Sequence, residues 1–327
     1  MKKLYRRLLV GIAAVLGVWL GAAGILIATS APQFAAKPYV VRTQPSAPCL
    51  IAADTRCYTA RDGSILHADY VAASADDKPV IVLLHGVMSS AHELRPAAQA
   101  LHDVSGAAVV SVDLRGHGAS SGRFGDIDYI GQYEDDVADV VAALRREQPS
   151  RKLVLAGHSM GGGVALRYAA KKTLPSVDGY LLFAPHLGDG APTTPRESAP
   201  APGAPEAPIK LHLRRTLGLV MFNAFGIRVF NGLGTLYFNV ADTDGLLHYS
   251  FRAMLSCAPD DYRAALGADD KPLLILAGSR DEAFNASAYP DVAGLHRGGT
   301  AVLVDGATHD GILSSPLAMA SAANWLR

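Results

Sequence analysis

The chain has 327 residues, 50% of them hydrophobic and 18% charged, and its formal net charge is zero. Such a chain can bury a sizeable core, and its length suits one large domain better than several small ones. Balanced charge and an aromatic content of 7% exclude a general electrostatic attraction for nucleic acid and a base-stacking platform, so nucleic acid is not an expected partner.

Lys2, Lys3, Arg6 and Arg7 precede an uncharged apolar run from Leu8 to Ala28. As a helix rising about 1.5 Å per residue, the run reaches about 30 Å, the thickness of a hydrocarbon core. It is apolar on every side, which suits a membrane better than the start of a soluble domain. A cleaved signal peptide is one reading, with Ala28-Thr29-Ser30 as the cleavage site; an uncleaved anchor is the other, and the length favours it. Both place the rest of the chain on the non-cytoplasmic side, anchored in the periplasmic or extracellular space or secreted, because the positive charge precedes the run. The expected division is therefore an anchor or signal peptide over residues 1–30, a linker over 31–57 and a catalytic domain over 58–327. Cys49 and Cys57 stand close together in the linker. In an oxidising compartment they can close a small loop, and reduced they have no role. Cys257 is the odd, buried thiol, and the absence of Cys-x-x-Cys gives no sign of a zinc ribbon.

Tyr58–Ala60 and Ile65–Ala72, parted by Arg61-Asp62-Gly63-Ser64, read as a hairpin. Strands are expected at 79–84, 107–112, 152–156, 179–183, 272–277 and 300–304. Helices are expected at 91–103, 132–146, 160–171 and 316–326. The strand segments are continuously apolar rather than alternating, as in a parallel sheet covered on both faces. Active sites on such sheets lie at the carboxyl ends of the strands. From 187 to 271 the alternation breaks. This insertion opens on the Pro/Ala-rich stretch Ala191–Pro208, runs through an apolar, aromatic region around Met221, Phe222 and Phe225, and includes a helical piece at about 246–256. It reads as a helical lid.

Gly157-His158-Ser159-Met160-Gly161 has the G-x-S-x-G pattern of a nucleophile elbow, between a predicted strand and a predicted helix. The sharp turn needs glycine two residues before and two after the serine. A helix N-terminus at Met160 favours developing negative charge. A serine hydroxyl needs a base, and His309, just after the last strand, is the candidate. Asp281, directly after the PLLILA strand, is the carboxylate to orient it, with Glu282 as an adjacent competitor. The backbone N–H groups of Val87 and Met160 are the candidate oxyanion donors. Asp113, Arg115 and His117 are expected to brace their own loop. Four histidines (85, 117, 158 and 309) are expected near this sheet edge, but no ligand spacing supports a metal site.

His85-Gly86, the run Asp113-Leu114-Arg115-Gly116-His117-Gly118-Ala119-Ser120, the G-H-S-M-G-G elbow, Gly278-x-x-Asp281 and His309 together resemble the monoglyceride lipase and lysophospholipase branch of the α/β-hydrolases, which includes serine aminopeptidase types. The resemblance covers about residue 58 to the end, except the insertion. It implies an α/β-hydrolase fold and carboxylester hydrolysis, often of lipid acyl groups, with no cofactor. The N-terminal apolar run and the Pro-rich start of the insertion depart from it. An expected substrate is thus a small-molecule or lipid ester, with a membrane contact through the N-terminal segment. Two rivals stand beside it. A prolyl-aminopeptidase-type enzyme would need acidic residues for an amine, and Asp242, Asp244, Asp260 and Asp261 are available. A non-catalytic binding protein on the same scaffold would have no use for an intact Ser, Asp and His.

Overall fold

The computed structural model describes residues 2–40, 49–195, 206–242 and 245–327. Part of the expected linker, most of Ala191–Pro208 and Asp244 lie outside the described residues.

Helix α1 (Lys2–Ile27) opens the chain and a short strand β1 (Tyr39–Val40) follows. The expected hairpin forms as β2 (Thr55–Thr59) and β3 (Ile65–Val71), with Gly63 at φ 85° in its turn. Then β4 (Val80–Leu84), α2 (Arg95–Ser105), β5 (Ala108–Val112), α3 (Gln132–Glu147), β6 (Leu153–His158), α4 (Met160–Ala170) and β7 (Gly179–Phe183) alternate as the apolar runs implied. The insertion brings β8 (Ile209–Leu211), α5 (Leu213–Asn223), β9 (Gly234–Asp242), β10 (Gly245–Ser250), α6 (Phe251–Leu255) and α7 (Tyr262–Leu266). Alternation resumes with β11 (Leu273–Gly278), α8 (Tyr289–Ala293), β12 (Gly299–Val304) and α9 (Pro316–Leu326).

The described residues gather into two units. The larger draws on Pro45–Arg123, Tyr129–Ala199 and Leu255–Arg327. It holds an eight-stranded sheet in the order β12-β11-β7-β6-β4-β5-β3-β2, parallel from β12 to β5 and antiparallel at β3 and β2. Strands β4, β5, β6, β7 and β11 are buried along their whole length, the reason their sequences do not alternate. Ile81, Leu83, Val109, Val154, Ala156, Leu181 and Phe183 pack on one face with Leu101 of α2 and Met319 and Ala322 of α9. The intervening strand residues point to the opposite face by the two-residue period of a strand. Cys49 and Cys57 form a disulfide with Cα atoms 6.0 Å apart. Cys257 is buried and forms no disulfide; burial pushes its thiol pKa up to about 12, which makes it inert as a nucleophile.

The smaller unit draws on Met1–Gln44, Phe124–Asp128 and Pro200–Met254. The insertion, expected to be helical, is built around a sheet. β9 pairs antiparallel with β10 on one edge; β8, antiparallel, and β1, parallel, succeed one another along the other. The piece read as a helix over 246–256 is β10 followed by the short α6. Buried Tyr237, Phe238 and Tyr249 explain the difference, since aromatic residues favour the half-buried surface of a sheet. The stretch read as a linker contributes to this sheet as well: Tyr39 and Val40 pair with Val240 and Ala241.

Candidate active site

Strand β6 ends in the elbow. Ser159 stands at φ 51° and ψ −115°, a backbone conformation that non-glycine residues rarely adopt. The close approach of neighbouring backbone accounts for the two flanking glycines. A Cβ on Gly157 would lie 2.3 Å from the carbonyl carbon of Gly161, and one on Gly161 would lie 2.3 Å from the Leu84 oxygen. The Ser159 N–H donates to the Phe183 oxygen at 3.0 Å, and the Ser159 oxygen accepts from His186 N–H at 2.9 Å, so the end of β7 holds the turn in place. Met160 begins α4 and is fully buried.

Asp281 follows β11 and His309 follows β12. His309 Nδ1 lies 3.1 and 3.0 Å from the two Asp281 carboxylate oxygens. An ionised carboxylate only accepts, so the proton sits on Nδ1 and Nε2 is left as the basic nitrogen. The Asp281 side chain is fully buried. Burial works against its ionisation. The hydrogen bond and charge of His309 and the N–H groups of Phe284 and Ala283, each 2.8 Å from Oδ1, outweigh it and hold the carboxyl below its usual range. Glu282, the competitor, instead accepts from the His309 backbone N–H at 3.0 Å. Gly278 lets the two loops meet, since a Cβ there would lie 2.1 Å from the Ala307 oxygen.

His158 is the residue that sequence reasoning left without a role. Its Nε2–H donates to the His309 carbonyl at 3.0 Å, and the two rings are 4.7 Å apart. It thereby ties the His309 loop to the residue before the serine. Burial first, then the neighbouring His309, keeps its pKa well below the usual histidine value, so it serves as a neutral donor. Phe284 packs edge-on to His309 at 5.2 Å and stacks on His186 at 5.5 Å. Among the described residues, the Ser159 hydroxyl makes no hydrogen bond to the His309 ring; such bonds often tighten only when substrate is bound. The loop after β4 passes against the elbow: a Cβ on Gly86 would lie 3.4 Å from Ser159 Cβ and 3.3 Å from His158 Nδ1. Val87 is the next residue.

The loop after β5 is braced as expected. Asp113 accepts from Ala91 N–H at 2.6 Å and from Ala119 N–H at 2.9 Å, and binds His67 Nδ1 at 2.8 Å. Arg115 forks onto Asp136 at 2.8 and 2.7 Å. His85 Nδ1–H donates to the Gly86 oxygen at 2.8 Å, and its Nε2 accepts from Leu114 N–H at 3.0 Å. Of the four histidines expected near this edge, His85 and His117 therefore serve this loop and His158 serves the His309 loop.

Residues 75–220 match the family described as serine aminopeptidase, S33. The chain is 31% identical over 96 residues to a monoacylglycerol lipase of Mycolicibacterium smegmatis, a stretch covering 29% of this chain and 34% of that one. It is 34% identical over 110 residues to protein phosphatase methylesterase 1 of Bos taurus, covering 34% of this chain and 29% of that one. The match thus spans only about a third of each of these relatives. Among solved structures, Est1E from Butyrivibrio proteoclasticus with ferulic acid bound aligns at a TM-score of 0.55 and 19% identity, over 82% of this chain and 96% of that one. With its mostly parallel sheet and its strand–elbow–helix turn the chain has the α/β-hydrolase fold, and in sequence it is similar to esterase- and lipase-like enzymes of that fold, monoacylglycerol lipase among them.

Proposed function

We propose that this chain is a serine hydrolase that cleaves a carboxylic ester, of the lysophospholipase or monoacylglycerol lipase kind, through an acyl-enzyme on Ser159. The observation that carries the reading is the buried Asp281 carboxylate bonded to His309 Nδ1, with His309 fastened to the strained serine turn through His158. In the first step His309 Nε2 takes the hydroxyl proton while Ser159 Oγ bonds to the substrate carbonyl carbon. The N–H groups of Val87 and Met160 receive the oxyanion. Collapse breaks the ester bond and expels the alcohol, which leaves with the proton from His309. Water then gives a proton to His309 and its hydroxyl to the acyl carbon; the bond from that carbon to Ser159 Oγ breaks, His309 returns the proton to Oγ, and the acid leaves. Labelling by a fluorophosphonate probe tests this: wild type is expected to label at Ser159 and Ser159→Ala not at all. Labelling at another residue would overturn the assignment.

The aminopeptidase reading draws support from the S33 family match. Two of the acidic residues it needs are already engaged, however. Asp260 pairs with Arg167 at 3.1 Å, and Asp261 caps α7 by accepting from Arg263 N–H at 2.9 Å. Comparing p-nitrophenyl esters with aminoacyl anilides separates the two, and turnover of anilides alone would favour the peptidase.

The first helix contains a stretch, Tyr5–Ile27, of 23 residues with mean hydropathy 2.3, long and apolar enough to cross a membrane. In our reading it is an uncleaved anchor with its N-terminus in the cytoplasm and the catalytic domain on the other side. Pelleting of the full chain with membranes after alkaline washing is the expected result.

A further inference from the structure

The end of α1 is knitted into the smaller unit. Gly218 and Leu219 are the buried residues of α5, and Ala23 is the buried residue of the α1 segment beside them. A Cβ on Gly218 would lie 2.7 Å from the Ala23 oxygen and 3.1 Å from Leu26 Cβ, so only glycine lets the two helices come this close. Arg215 Nε donates to the Ile27 oxygen at 3.1 Å and its Nη2 to the Thr29 oxygen at 3.0 Å, while His212 Nε2 lies 3.1 Å from that same oxygen. A cation thus satisfies the free carbonyls at the negative end of α1. From there α5 runs back along α1, and Phe225, just past its end, packs edge-on to Trp19 at 6.5 Å. Trp19 lies about 12 Å along the helix from Ile27.

The outward side of this pair is apolar. Leu217 and Val220 of α5, Phe225 and Val229 after it, and Val18 and Ile25 of α1 are all exposed, Val229 by 79%. A helix facing water carries polar residues on that side. The charged residues of α5 lie instead at its start: exposed Arg214, and Arg215 against the end of α1.

We propose that α1 and α5 form one lipid-facing pair, in which α1 is a retained structural part of the smaller unit and holds the outer stripe of α5 and the loop after it within the hydrocarbon of a bilayer leaflet. The inference rests on the anchor reading above. Continuity carries it: the exposed stripe of α5 extends the surface of a helix of membrane-spanning length, and the α5 cations sit where that helix ends, at the level of lipid phosphates. Arg228, beside exposed Val229, sets the depth of the loop, because its guanidinium must reach back toward the phosphates.

The test uses the full chain in vesicles of phosphatidylcholine and phosphatidylglycerol, in a Cys257→Ala background. Single cysteines at Leu16, Phe225 or Leu317 carry an environment-sensitive fluorophore. The expected result is loss of fluorescence to a lipid-borne quencher, with protection from aqueous iodide, at Leu16→Cys and Phe225→Cys, and the opposite at Leu317→Cys. The intact mass of the purified chain should include the first helix. Lipid quenching at Leu16→Cys with iodide quenching at Phe225→Cys would overturn the pairing and leave the anchor standing. Iodide quenching at both, or a mass lacking the first helix, would remove the anchor and the pairing together.

Discussion

Replacing Asp281 with asparagine tests the proposed chemistry at its most buried point. In the native site Oδ1 accepts from the N–H groups of Ala283 and Phe284, both at 2.8 Å. In the Asp281→Asn variant those two donors keep the amide carbonyl oxygen at the Oδ1 position, which puts the NH2 group where Oδ2 stood, 3.0 Å from His309 Nδ1. Two donors would then face each other at the Oδ2 position, and Nδ1–H would be left only the Oδ1 position, 3.1 Å away and already shared by two N–H donors. The imidazole relieves this by carrying its proton on Nε2, where it can no longer accept from Ser159, and the imidazolium formed in the reaction loses its neighbouring negative charge. Loss of the correct tautomer in such triads lowers kcat by about 10⁴-fold, about 5 kcal/mol of transition-state stabilisation. The assay is kcat/KM for p-nitrophenyl butyrate between pH 5 and 10, with melting curves to check folding. Glu282→Gln is the control, because Glu282 accepts from the His309 backbone N–H and leaves the imidazole alone. Asp281→Asn within about tenfold of wild type, with Glu282→Gln carrying the large loss, would show that the orienting carboxylate has been misassigned.

His158→Phe removes the donor to the His309 carbonyl, and kcat is expected to fall by about 10- to 100-fold with KM nearly unchanged, as befits a positioning residue; partial recovery in His158→Gln, measured in the same assay, checks that the hydrogen bond and not ring packing is responsible. His117 is buried and held down to about 3, by burial first and then by His85. Between its ordinary 6.5 and that value only the unfolded chain takes up a proton here, so acidification destabilises the fold. By about pH 4.5 the loss from this one group is about 3 kcal/mol; denaturant unfolding at about pH 7 and about pH 4.5 should show a smaller acid loss in His117→Gln, and an equal loss would contradict the argument. Gly161→Ala would force a Cβ to within 2.3 Å of the Leu84 oxygen, and is expected to abolish activity and lower the melting temperature, read by circular dichroism and ester turnover. Reduction of the Cys49–Cys57 disulfide, which closes a loop of sequence separation 8, should cost about 2–3 kcal/mol in denaturant unfolding while turnover of the remaining folded protein is unchanged.

The central strands and most flanking helices of the larger unit were legible in the sequence because their signals are local. The runs at β4, β6 and β11 are apolar without alternation because each strand is covered on both faces. Gly157, Ser159 and Gly161 announce the elbow because a strand that turns at once into a helix leaves no room for a Cβ at either glycine. Tertiary contact decided the rest. That Asp281 rather than Glu282 meets the imidazole depends on how the loops after β11 and β12 cross, and both acids read alike in sequence. The His158–His309 tie joins residues 151 apart. The insertion became a sheet, and Tyr39 and Val40 joined it, through pairing with β9, a strand far along the chain from β1. Helix α1 declared its length and apolarity by itself, whereas its partner α5 became visible only where Gly218 meets Ala23, because close approach of two helices is a property of both surfaces and of neither sequence alone.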